Sequence, residues 1–109
     1  MKSSSRQILF DEMVDALADV QRRTLLVALL EHNPQADRPV VVGDGGTEAI
    51  EVKQLIQMKH VHLPKLAEYG FIDWDEDAHE VAKGPNFDEI RPLLELLDDH
   101  ADELPADWL

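Results

Sequence analysis

The chain has 109 residues, room for one domain with a single modest hydrophobic core and too few for two. Its 23 acidic residues outnumber 10 basic ones for a net charge of −13, and the excess is dispersed through a chain that is 44% apolar, which fits a folded protein with a strongly hydrated surface and not a disordered acidic tail. The lack of cysteine excludes disulfides, thiolate metal centres and thiol-based sensing, and because residues 1–6 carry no apolar stretch of the secretory or membrane-spanning kind, a soluble cytoplasmic protein is expected.

Residues 1–6 are small and polar and are expected to be mobile. From Gln7 onward Phe10, Met13, Val14, Leu17 and Ala18 recur at helical spacing and predict a first helix with one buried stripe. Asp19 breaks that pattern and is placed to cap a second helix. The run from Leu25 to Leu30 is apolar around the whole circumference, so this second helix is predicted to cross the core and to end near Asn33-Pro34. Arg22 and Arg23 stand in its first turn, where the helix dipole disfavours cations. Two reasons for them stay open: contact with phosphate, or ion pairs with Asp15 or Asp19.

Val40, Val41 and Val42, bounded by Pro39 and a glycine-rich turn, predict a short strand beside a later hairpin. The Gly43-Asp44-Gly45-Gly46 turn is not followed by the Lys-Ser or Lys-Thr pair that a nucleotide-binding loop needs, so it is read as a turn. Residues 48–69 are predicted to be helical, with Val52, Leu55, Ile56, Leu63, Leu66 and Ala67 on one arc. Two residues disturb that arc. Lys59 falls inside it, so the helix either breaks or shifts phase between Gln57 and His60, or Lys59 runs its stem along the core edge. Pro64 deprives the carbonyl of His60 of its donor, which predicts a kink.

Gly70 stops this helix. Ile72 and Trp74 alternate with Asp73 and Asp75, and Val81 follows the polar turn Glu76-Asp77-Ala78, which predicts a hairpin with one face on the core. Asn86 and Glu89 have the spacing of a capping box, with Pro92 offering a second start. Ile90, Leu93, Leu94, Leu97, Ala101 and Leu104 then form an apolar stripe longer than such a core needs. A domain spanning 7–86 and a C-terminal helix spanning 87–109 are therefore expected, with Ile90, Leu93, Leu94, Leu97 and Leu104 forming a homodimer interface.

Opposite the apolar arc of 48–69 lie Lys53, Gln54, Gln57, His60, Val61, Pro64 and Lys65, in a stretch free of Asp. Glutamine can bond adenine with both its amide groups, lysine can reach guanine or phosphate, and valine can touch a thymine methyl. Gln54, Gln57 and His60 are the candidates for base edges, and Lys53 and Lys65, with Lys59, Arg22 and Arg23, for the rest of a DNA contact. A merely solvated helix face is the competing reading. His60 and His62 lie about 200° apart on a helix and cannot share an ion, so no metal is assigned. No nucleophile and base pair is evident, so neither catalysis nor a cofactor is expected. Thr47, Tyr69 and Trp74 are the residues that would line an effector pocket if there is one.

The run His60-Val61-His62-Leu63-Pro64-Lys65-Leu66, followed by Gly70, two apolar residues and an acidic hairpin, resembles the small winged-helix regulators of haloarchaea, relatives of the arsenical-resistance-repressor type. Arg22-Arg23 opening an apolar helix, and the stretch from Gly84 to Ile90 leading into a leucine-rich tail, extend the likeness to about two thirds of the chain. The chain departs from the pattern in lacking the turn glycine between positioning and recognition helices. The resemblance implies a mainly α winged helix-turn-helix with a small β-hairpin wing. It further implies a dimeric, sequence-specific transcription regulator of a halophilic archaeon that binds double-stranded DNA. The acidity suits such a setting, since concentrated salt weakens the counterion-release term that normally demands many basic residues. A winged helix used as a protein-interaction adaptor, docking through its acidic wing or leucine-rich tail without touching DNA, is the alternative.

Overall fold

The computed structural model describes residues 8–38 and 52–109. The expected valine strand at 40–42, the expected glycine turn at 43–46, Thr47, the start of the expected 48–69 helix and residues 1–6, expected to be mobile, lie outside the described residues. Helix α1, Phe10–Ala16, opens with the Glu12 carboxylate reaching back to the Leu9 N–H at 3.0 Å. Its expected buried stripe is split: Met13 and Leu17 meet the core, together with Ala16, while Phe10 and Val14 are 63% and 48% exposed and Ala18 also faces out. With only seven residues the helix is too short for a stripe to fix which side faces inward.

Helix α2, Val20–Glu31, is capped as expected, the Asp19 carboxylate accepting from the Gln21 N–H at 2.8 Å. Leu25, Leu26, Val27 and Leu29 are buried, so this helix does run through the core. Strand β1, Gln35–Ala36, follows at once.

The next stretch is helical from Val52 to Glu68, in three parts: α3, Val52–Gln57; a π-helical turn, Met58–His62; and α4, Leu63–Glu68. Of the expected alternatives, the backbone takes the phase shift. Leu63 donates to the carbonyl of Met58, a five-residue step, so this turn rotates less per residue than an α-helix. Winding of this kind also accommodates Pro64, which has no N–H to offer an α-helical partner. Met58, His62, Leu63 and Leu66 consequently all point inward, whereas Val52 and Ile56, expected in the buried arc, are 69% and 53% exposed.

Gly70, at φ 79°, ends α4 with Gly70 donating to the Ala67 carbonyl at 2.9 Å and Phe71 to the Leu66 carbonyl at 3.1 Å. Phe71 and Leu66 are both fully buried, the apolar contact that such an ending requires. The hairpin follows as β2, Ile72–Asp75, and β3, Glu80–Lys83, with Trp74 opposite Val81. Strand β1 joins the other edge of β3, giving an antiparallel sheet in the order β1-β3-β2. Among the described residues the hairpin's neighbour is Gln35–Ala36; the valines expected in that role lie outside them. Ile72 and Val81 put one face of the hairpin on the core.

Helix α5, Phe87–Asp99, lays Phe87, Ile90 and Leu94 against that core. The side chain of Asn86 makes no capping bond; it donates to the carbonyl of Tyr69 at 2.9 Å and so serves the end of α4. The expected helix over 87–109 stops at Asp99. Two adjacent acids oppose the dipole at that end, and Pro105 holds Leu104 extended, so residues 101–108 form two short 3-10 turns that fold back over α2. The result is a mainly helical protein with a small three-stranded antiparallel sheet, and among the described residues no helix is long and apolar enough to cross a membrane.

Candidate nucleic-acid interface

The composite helix from Val52 to Glu68 divides cleanly into a displayed half and an anchored half. Lys53, Gln54 and Gln57 on α3, and Lys59, His60 and Val61 in the π turn, are exposed. Met58, Leu63 and Leu66 are fully buried and hold the helix to the core. The three base-edge candidates and two of the lysines thus lie on solvent-facing backbone.

The other basic candidates are engaged inside the protein. Arg22 is 7% exposed; its Nε donates to the Ala16 carbonyl at 3.0 Å, one Nη to the Asp15 carbonyl at 3.1 Å and the other to His62 Nδ1 at 2.9 Å. A guanidinium only donates, so His62 Nδ1 accepts, and the ring is neutral with its proton on Nε2, 3.5 Å from Asp19 Oδ1. Burial pulls the His62 pKa below its ordinary value, against the opposing pull of Asp19 and with the help of Arg22. Arg23 donates to the carbonyls of Leu17, Asp107 and Trp108 and lies over the Trp108 ring at 5.5 Å. Both guanidiniums are engaged within the protein, and neither ion-pairs with Asp15 or Asp19. Both satisfy carbonyls where the chain ends or turns.

Lys65 is likewise committed. It meets Asp15 at 2.7 Å, and the same Asp15 oxygen accepts from Tyr69 Oη at 2.6 Å. The two hydrogen bonds, from Lys65 first and then Tyr69, lower the Asp15 pKa, and the Asp15 carboxylate raises that of the Tyr69 hydroxyl. This clamp ties α1 to α4. The helical period placed Lys65 on the outer face but carried no sign that Asp15, fifty residues away, would meet it.

Among the described residues the basic side chains therefore sort into two groups. Arg22, Arg23, Lys65, Arg91 on Asp88, and Lys83 over the Phe87 ring have partners. Arg38, Lys53 and Lys59 have no ion pair, hydrogen bond or ring contact among those residues. In a chain with 23 acids and 10 bases, bases with no carboxylate partner among the described residues are notable, because random mixing would surround each with acids. Two of the three, Arg38 and Lys59, with His60 and His79, border one open cleft of about 600 Å³ between the end of β1, the outer side of the composite helix and the hairpin turn.

The wall of this cleft is stiffened by Asp37, only 5% exposed, which accepts from Trp74 Nε1 at 3.2 Å and faces His79 Nδ1 at 3.5 Å. His79 itself takes a left-handed conformation, φ 58°, where it closes the turn. Trp74 and Tyr69, considered for an effector pocket, thus spend their polar groups on Asp37 and Asp15. The exposed hairpin tip carries Glu76 and Asp77, charges that repel phosphate.

Of the expected dimer contacts, Ile90 and Leu94 are fully buried in the protein's own core and offer nothing to a second chain. Leu93, Leu97 and Leu104 are partly exposed and border an apolar groove of about 460 Å³ that α1 completes with Phe10, Val14 and Leu17. The outward residues of α1 and the surplus leucines of α5 meet in this groove. Comparison with known protein families, with characterised proteins and with solved structures finds no match for the chain.

Proposed function

We propose that the chain is a sequence-specific DNA-binding transcription regulator of winged-helix type, with the composite helix from Val52 as its reading element. The observation that carries this reading is the exposed set Lys53, Gln54, Gln57, Lys59 and His60, in which two lysines lack acidic partners among the described residues of a protein of charge −13. Amides and imidazole supply donors and acceptors to base edges, and the lysines supply charge to phosphate. Helix followed by β-hairpin, with a third strand on the hairpin's far side, is the layout that a wing requires. The His60–Leu66 run that resembles haloarchaeal regulators agrees with it. In this reading Arg22 and Lys65 hold the helix, Arg23 holds the C-terminal turn on α2, and none of the three touches DNA.

The protein acts as a homodimer through the groove bordered by Val14, Leu93 and Leu97, so that its operator has two half-sites about one duplex turn apart. Selection from a random duplex library, followed by anisotropy titration of the selected duplex over a range of KCl, tests the reading. Enrichment of a two-fold symmetric site is the expected result. No enrichment, together with equal retention of all duplexes, would overturn it. The adaptor alternative draws on the acidic tip at Glu76 and Asp77, which suits a basic protein surface better than a phosphate backbone; it predicts that reversing those two charges abolishes capture of a partner and leaves DNA retention at its background level.

A further inference from the structure

We propose that the cleft between the end of β1 and the π turn is a binding site for a small aromatic carboxylate. Its volume of about 600 Å³ falls within the range of small-molecule sites. The floor is aliphatic, made by Leu55 and Ile56, and Ile56 is left 53% exposed although it lies on a helix whose other half is tightly packed. The cleft's Arg and Lys side chains are Arg38 and Lys59, neither of which has a carboxylate partner among the described residues. The one acid of the lining, Asp37, is 5% exposed, and its Oδ2 accepts from Trp74 and faces His79. The cleft therefore presents an apolar seat beside a guanidinium that has no carboxylate partner among the described residues and whose planar fork matches a carboxylate. Inorganic phosphate would use the rim and leave the aliphatic floor wet, so a planar apolar body carrying one carboxylate fills the cleft better.

Lys59 and His60 belong to both this cleft and the proposed DNA-facing surface. An occupant that neutralises Lys59 would weaken phosphate contact, making the cleft an effector site; this consequence rests on the DNA-binding reading, whereas the site itself does not.

Calorimetric titration of the full chain with 2-naphthoate, 2-naphthamide and inorganic phosphate tests the proposal. Saturable binding of one naphthoate per chain is expected, with naphthamide and phosphate roughly tenfold weaker or worse, a loss of about 1.4 kcal/mol. Arg38→Ala and Lys59→Ala should each weaken naphthoate by a similar factor, and Ile56→Ser, at an exposed position that the fold does not need, by severalfold. Absence of naphthoate binding, equal binding of the neutral amide, equal binding of phosphate, or naphthoate binding unchanged in all three variants would each overturn the site. If naphthoate binds as expected and no duplex is bound with or without it, the DNA reading fails and the site stands. If DNA binds and naphthoate does not, the reverse holds.

Discussion

Arg22 donates through a terminal nitrogen to His62 Nδ1 at 2.9 Å, joining the first turn of α2 to the last residue of the π turn inside the protein. This contact needs a neutral imidazole, since protonation would set a second cation against the guanidinium and remove the acceptor. Burial holds the folded-state pKa of His62 below its ordinary value of 6.5. The unfolded chain therefore binds a proton first as pH falls, and stability should drop with falling pH from about 6.5 downward until the folded ring also protonates. Chemical denaturation at a series of pH values checks this. The pH dependence between 6.5 and 5 should be reduced in His62→Gln, and an unchanged slope in that variant would show that other groups cause it.

Replacing Arg22 by Met keeps much of its bulk and removes three donors. The carbonyls of Ala16 and Asp15 then lose partners, one of them buried, at a cost of about 2 to 3 kcal/mol in folding free energy. Denaturant midpoints at constant slope measure that loss. Because Arg22 is internal, DNA affinity at a temperature where the variant stays folded should change little.

The salt dependence of DNA affinity separates free from committed cations. Lys53→Ala and Lys59→Ala should each reduce the slope of log affinity against log salt concentration by about 0.9, the share of one phosphate contact. Lys65→Ala should leave the slope unchanged and instead lower stability, because Asp15 loses its ion pair with α4 and keeps only the Tyr69 hydroxyl. Equal slopes for all three variants would rule out the assignment of Lys53 and Lys59 to phosphate.

Gly70 combines a left-handed backbone with a close neighbour. A Cβ there would lie 2.5 Å from Asn86 Nδ2, the atom that bonds the Tyr69 carbonyl. Gly70→Ala should cost about 1 to 3 kcal/mol of stability. Adding Asn86→Ala relieves the clash but not the backbone strain, so the double variant should be less damaged than the sum of the two single ones, as thermal melts of all four proteins would show.

Charge placed in the apolar groove should separate association from folding. Val14→Glu and Leu97→Glu are expected to shift the protein toward monomer in sedimentation velocity while leaving its circular dichroism intact. Ile90→Ala should instead destabilise the fold by about 2 to 5 kcal/mol through the cavity it leaves. A chain that stays monomeric at all concentrations before substitution would remove the dimer from the proposal.

Elements whose signals are local were legible in the sequence. The Asp19 cap, the apolar α2, the Gly70 stop and the hairpin with one face on the core each depend on residues within a few positions of one another. What the pattern missed depends on distant partners or on rotation. Period alone could not show that five-residue winding at Met58–His62 would turn Val52 and Ile56 outward and Met58 inward. The disruptive pair Lys59 and Pro64 was the available signal that α-helical phase would fail there. Arg22, Arg23 and Lys65 are polar residues at positions that look like surface, and only tertiary approach by His62, Trp108 and Asp15 explains them. Asn86 had the spacing of a cap, but its side chain bonds the Tyr69 carbonyl at the end of α4 and makes no capping bond to its own helix.

The offset at the π turn gives the composite helix the character of a shaft with a stepped coupling. Its rear section is keyed to the core by Met58, His62, Leu63 and Leu66, so its angular setting is fixed by packing. The front section takes its heading from the step. Deleting one residue within Met58–His62 would restore ordinary pitch and swing Lys53, Gln54 and Gln57 around the axis by about one residue's rotation, with the core contacts of α4 untouched. A single codon would thereby re-aim Lys53, Gln54 and Gln57 without altering any of those three side chains.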